Sequence, residues 1–167
     1  MADARRELAE MYDTHAPRIF RYIYHRLGDQ AVAEDLTSEV FVRFLHARVA
    51  PENLAAFLFR VAHNLVVDYL RGHRATQLLD ENLAAEQSDP AHLVEEGMKR
   101  ARLRRAIAHL TAEQQQVIVL KFLEGFSNEE VARVLDKSVG AVKLLQHRGL
   151  AALRDLLCGE EENVSRF

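Results

Sequence analysis

Up to residue 75 no stretch of this sequence alternates apolar and polar residues over a strand's length, while apolar side chains recur throughout at three- and four-residue spacing. That period belongs to amphipathic helices, so the N-terminal half has to be built from helices alone. Asp3 to Asp13 reads as a short helix, broken around Thr14 to Pro17 because proline removes a backbone donor. Ile19, Phe20, Ile23 and Leu27 mark one face of a second, stopped at Gly28. Asp29 is placed to cap a third, running to about Ala47, in which Val32, Leu36, Val40 and Phe44 repeat beside Phe41 and Leu45. Pro51, Glu52 and Asn53 open a fourth, buried through Leu54, Phe57, Leu58, Val61, Leu65 and Tyr69 and fading at Gly72.

The C-terminal half is helical as well, with clearer punctuation. MKRARLRRAIAHL, from Met98, is a basic helix ending at Leu110. Thr111 with Gln114 has capping-box spacing for a helix over Ala112 to Leu123, which Gly125 ends. Ser127 with Glu130 repeats the box for Asn128 to Leu135, Asp136 and Lys137 make a tight turn, and Ser138 caps a long helix through Leu157. Two helices so joined form a helix-turn-helix unit. On the last helix Val142, Gly149 and Leu153 face inward, flanked by Leu145 and Leu150, whereas Lys143, His147, Arg148 and Ala151 project outward. The N-terminal half of such a helix enters the major groove, where Lys and Arg reach guanine edges and phosphates. A bundle with a merely solvated basic face is the alternative, against which stand both capping boxes, the turn and the outward bases.

Charge shows where the two halves divide. The chain has 167 residues and a formal net charge of -3, which by itself argues against nucleic acid as a partner. Residues 1–74 hold 10 basic and 10 acidic side chains, 75–97 hold 0 and 6, 98–158 hold 11 and 6, and 159–167 hold 1 and 3. The acid thus lies between and after two bodies, and the second body is positive. We expect a first domain over 1–75, a linker over 76–97, a second domain over 98–158 and an acidic tail over 159–167. The linker holds a Ser-Asp-Pro breaker and no base, as a solvated tether does. A short acidic helix packed on either body remains open, because Leu78, Leu79 and Leu83 have helical spacing.

Other function classes find little support. One cysteine makes neither an internal disulfide nor a Cys-based zinc site, and eight scattered histidines without an HExxH pair leave little case for a structural metal. No set of nucleophile, base and orienter is apparent, so neither an enzyme nor a cofactor is expected. Cys158 reads as a packing residue, and His63 and His73 as surface groups. No run of about 18 apolar residues exists and MADARRELAEM has no signal-peptide core, which predicts a soluble cytoplasmic protein without membrane insertion.

Two polar stripes carry the functional interest of the first body. Asp35, Glu39 and Arg43 share an edge of the third helix, with Val42 and His46 beside them. Taken alone this is a solvated face with i,i+4 ion pairing or a docking edge. Arg60, Asn64, Asp68 and Arg71 line up on the fourth helix, where Asn is a poor interior residue unless its side chain has a partner.

Taken together these stretches resemble an extracytoplasmic-function (ECF) sigma factor, a two-domain initiation factor of bacterial RNA polymerase. YDTHAPRIFRYIYHRLGD is similar to the opening of the family's first domain, and AEDLTSEVFVRFL to its helix for the β′ clamp helices. LAAFLFRVAHNLVVDYLRGHRA resembles the helix for the -10 element. LTAEQQQVIVLKFLEGFSNEEVARVLDKSVGAVKLLQHRGLAALR resembles the domain for the -35 element. The resemblance implies core RNA polymerase as a partner, through its β′ clamp helices and β subunit, with Asp35, Glu39, Phe41 and Arg43 as polymerase-binding residues. It implies -10 contacts by Arg60, Asn64, Asp68, Tyr69, Arg71 and Arg74, next to a loop at Ala50 to Asn53 that takes a flipped base in the family. It implies -35 contacts by Ser138, Lys143, Leu144, His147 and Arg148, and an anti-sigma factor as a further partner. No cofactor or catalysis is implied; strand opening would draw on binding free energy.

The sequence departs from the family pattern at several points. Phe57 stands where Trp is usual, keeping the packing and losing the indole N–H. Ser38 replaces Gln, Ala141 lacks a Thr hydroxyl, Leu144 puts an apolar group on the groove face, and Gln146 occupies a mainly apolar core position. Leu144 suits a thymine methyl, hence a T-containing -35 motif. The rival function is a helix-turn-helix repressor that binds a palindrome without polymerase.

Overall fold

The computed structural model describes residues 1–77 and 95–164, with the backbone alone for residues 74–77, 95–96 and 160–164. Among the described residues there are helices and no strands. The chain divides into two compact units, Met1–Gln87 and Ser88–Phe167. Most of the expected linker, and the end of the acidic tail, lie outside the described residues.

Among the described residues the first unit holds three helices: α1 (Ala2–Leu27), α2 (Gln30–Ala47) and α3 (Leu54–Gln77). Sequence reading expected four, with a break at Thr14 to Pro17, but α1 runs straight through Pro17. Proline in a helix interior costs about 3 kcal/mol, through the lost bond to the carbonyl four residues back and the clash of its ring with that carbonyl. Here that carbonyl belongs to Asp13, and both Asp13 and Pro17 are exposed, so water can serve it. The opposing face buries Ala16, Ile19, Tyr22 and Ile23, which offsets the cost. Thr14 Oγ1 donates to the Glu10 carbonyl at 2.7 Å, so its hydroxyl continues the helix instead of breaking it.

The remaining boundaries follow from caps. Gly28 takes φ 68° and its N–H reaches the Tyr24 carbonyl, closing α1. Asp29 accepts the Val32 N–H at 3.1 Å and starts α2. Asn53 accepts the Ala56 N–H at 3.0 Å and is the cap of α3, which leaves Pro51 and Glu52, expected inside the helix, ahead of it. Nor does α3 fade at Gly72; it continues to Gln77. Ile19, Ile23, Val40, Leu58, Phe59, Ala62 and Val66 form the core of this unit. Thr37 is buried with them, its hydroxyl donating to the Ala33 carbonyl at 2.6 Å.

The second unit contains α4 (Glu95–Ala108), α5 (Ala112–Ile118), α6 (Asn128–Leu135) and α7 (Val139–Val164). Both capping boxes form reciprocally, at Thr111 with Gln114 and at Ser127 with Glu130. The expected helix to Leu123 is present, but its last turn, Val119–Leu123, widens to a π-helix in which the Glu124 N–H reaches the Val119 carbonyl at 3.0 Å. Gly125, at φ 75°, then turns the chain so that Phe126 is buried. Ala106, Ile107, Leu110, Ile118 and Leu153 pack as one cluster, with Leu156 and Leu157 against it. Arg102 donates to the Leu157 carbonyl and ties α4 to the C-terminal half of α7.

Candidate functional site

In the second unit the reciprocal caps set the aim of α7. Asp136 at φ 54° ends α6, its N–H on the Ala132 carbonyl, and two residues later Ser138 Oγ accepts the Ala141 N–H at 3.1 Å and opens α7. A three-residue turn therefore joins α6 to α7, as a helix-turn-helix requires. Val142 is fully buried and Leu153 nearly so. Gly149 is buried too, and a Cβ there would lie 3.1 Å from Ile118 Cγ1, so a glycine permits this approach of α7 to α5. The opposite face presents Lys143, Leu144, His147 and Arg148, all exposed. Leu144 is 48% exposed and sits in the middle of that face. The Ser138 hydroxyl oxygen is occupied by its cap, and Gln146, as its place in the apolar stripe suggests, has a buried Oε1 without a hydrogen-bond partner.

In the first unit α2 presents Asp35 and Arg43 exposed and Glu39 half-buried. Glu39 accepts from Arg43 Nε at 2.9 Å, so the i,i+4 pairing is real, and at about 0–1 kcal/mol it leaves both groups able to exchange partners. Phe41 does not share this edge: it is 5% exposed and its ring lies 4.7 Å from that of Tyr12, where it holds α1 against α2. Beside the stripe runs an open groove of about 480 Å³ between α1 and α2. Leu8, Tyr12, Phe41, Val42 and Leu45 line it, with Arg5 and Asp13. Sequence reading missed this groove. Its signal was the apolar line of Val42 and Leu45 on a helix face already supplied with core residues.

On α3 the structure separates residues that the resemblance grouped. Arg60, Asn64, Asp68 and Arg71 are exposed along one edge. Tyr69 lies about 180° round the helix from Arg60 at 100° per residue, in line with buried Leu58, Ala62 and Leu65. It is half-buried and stacks on His73, with ring centroids 3.9 Å apart and planes 18° apart. The Arg74 side chain lies outside the described residues. Phe57, in the place usual for Trp, meets Phe44 edge-on at 5.9 Å.

Two side chains differ from their sequence readings. His63 is not a free surface group: it is half-buried with Nδ1 3.3 Å from Tyr22 Oη, joining α3 to α1. Tyr22 is buried, and burial pushes its phenol up to about 12 although Arg26 opposes the shift. Cys158 is exposed, not packed. Among the described residues no group of three or more His, Cys, Asp or Glu is placed to hold a metal, and no helix is long and apolar enough to cross a membrane.

Comparison with known proteins agrees with this geometry. Residues 11–76 match Sigma-70 region 2 and residues 100–153 match Sigma-70, region 4. The chain is 39% identical over 158 residues to the ECF RNA polymerase sigma factor BldN of Streptomyces coelicolor, covering 88% of this chain and 59% of that protein. It therefore spans less than two thirds of that relative. It is 33% identical over 163 residues to the ECF RNA polymerase sigma factor SigL of Mycobacterium tuberculosis, covering 93% and 90% of the two chains. Among solved structures, the sigma factor RpoE in complex with the anti-sigma factor NepR from Bartonella quintana has the same fold, at a TM-score of 0.71 and 23% identity, over 94% of this chain and 98% of that one. With both sigma regions matched in order and SigL matched over nearly its whole length, the chain belongs to the ECF family of RNA polymerase sigma factors.

Proposed function

We propose that this protein is a transcription initiation factor that binds core RNA polymerase and directs it to two-part promoters. The observation that carries this is the pairing, in one chain of the sigma family, of an exposed acidic edge on α2 with an exposed basic face on the N-terminal half of α7. Residues 1–75 act as the region 2 domain, 76–97 as the tether, 98–158 as the region 4 domain and 159–167 as an acidic tail. Asp35 and Glu39 contact basic residues of the β′ clamp helices, Arg43 positions Glu39, and Phe41 supports the surface from beneath. The β subunit is the second point of attachment to core polymerase. Arg60, Asn64, Asp68, Arg71 and Arg74 contact the -10 element as it opens, with Tyr69 packed behind them. Lys143, Leu144, His147 and Arg148 face the -35 major groove, and Ser138 fixes where α7 enters it.

The chain performs no catalysis in this reading; melting is driven by capture of unpaired bases at α3. The protein acts in the cytoplasm, where core polymerase and DNA are found. An anti-sigma factor is a further partner, as NepR is for the solved RpoE. Family membership does not favour a repressor that works without polymerase.

Co-purification of the full chain with core polymerase tests the docking edge. Asp35→Arg reverses a charge on an exposed residue, so it should weaken capture at least about tenfold while the helical circular dichroism and melting curve stay as in the wild type. Normal capture by the variant would show that α2 does not dock through this edge.

A further inference from the structure

The C-terminal end of α3 is helical where its own sequence should let it fray. Among the described side chains of the helix Val66 is the last that is buried, Tyr69 and Leu70 are half-buried, and Arg71, Gly72 and His73 are all exposed. Gly72 has open space around it, with nothing within 4 Å of a Cβ built there, so no packing requires a glycine. Glycine in an exposed helix interior lowers the helical population about fivefold relative to alanine. Helix ends without tertiary burial are marginal in water. Yet α3 continues through Gly72 to Gln77.

Tyr69 and His73 make a contact that spans the weak point. The Tyr69 and His73 rings are stacked at 3.9 Å and 18°. His73 Nδ1 lies 3.0 Å from the Tyr69 carbonyl. A carbonyl only accepts, so Nδ1 carries the proton and donates. Ring stack and hydrogen bond together brace the single turn from Tyr69 to His73, which contains both Arg71 and Gly72. We infer that His73 is a positioning residue: through Tyr69 it holds the last turns of α3 helical and so keeps Arg71 on the same edge as Arg60, Asn64 and Asp68. The role in promoter opening rests on the function proposed above; the effect on the helix does not.

The test therefore has two readouts. In the full chain without polymerase, His73→Val, which has about the helix propensity of histidine but neither its ring nor its donor, should speed hydrogen exchange at the backbone amides of residues 71 to 74 about twofold, the scale of one i,i+4 pair. Gly72→Ala added to it should restore slow exchange, and His73→Phe, which keeps a ring to stack, should keep much of the protection. In holoenzyme, promoter opening should fall with His73→Val and recover in the Gly72→Ala, His73→Val double variant. Unchanged exchange in His73→Val would overturn the inference. So would recovered exchange without recovered opening, since His73 would then touch DNA itself. Wild-type holoenzyme that opens no promoter would count against the proposed function, and the exchange readout would still decide the role of the bridge.

Discussion

Tyr22 ties the pH response of the first unit to one buried phenol. Its ionisation is raised to about 12 by burial, against an ordinary value of 10. A folded value above the unfolded one means that the stabilisation is complete below pH 10. It is lost as pH rises from 10 to 12, where the unfolded chain ionises and the folded one does not. A rise of that size corresponds to about 3 kcal/mol over the window. Denaturant melts at pH 9 and 11 should show this loss in the wild type and a smaller one in Tyr22→Phe; equal losses would remove Tyr22 as the cause. Gly149 makes a different claim, about space. A Cβ would already stand 3.1 Å from Ile118 Cγ1, so Gly149→Leu should destabilise the second unit by about 1–3 kcal/mol in a thermal or denaturant melt. Leu144 is a matter of specificity: if it packs on a thymine methyl, Leu144→Ala should erase any preference for T in the -35 element.

At the scale of elements, boundaries are set by caps, and caps are short-range enough to be legible. Asp29, Thr111, Ser127 and Ser138 all cap where their spacing says, because each needs only its own side chain and an N–H about three residues on. Removing the Thr111 hydroxyl by Thr111→Ala should therefore cost the second unit about 1 kcal/mol in a denaturant melt. Pro17 and Gly72 mislead a sequence reading for the opposite reason. Both are local breakers that longer-range or neighbouring interactions override: burial of the Ile19 and Ile23 face for one, the Tyr69 and His73 stack for the other. The recognition face of α7 is readable from its period, since Val142 and Leu153 fix what points inward. The groove between α1 and α2 is not, because it needs two helices that a sequence pattern treats separately. Phe41 shows the same limit, a docking position by resemblance that packing against Tyr12 turns inward.

For the molecule as a whole, a net charge of -3 conceals its relevant sign, because an excess of five bases lies in residues 98–158 and the balancing acid lies outside that stretch. Affinity for -35 DNA should thus be strongly salt-dependent. Lys143→Ala with Arg148→Ala should reduce the slope of log affinity on log salt by about 0.9 for each phosphate that is no longer neutralised. The most direct measurement is transcription reconstituted from core polymerase, the full chain and genomic DNA, with start sites mapped. The expected result is a set of starts that depend on this protein, each downstream of one shared, asymmetric two-part motif. Starts that are the same with and without the protein, together with tight binding of a palindrome by the protein alone, would contradict it.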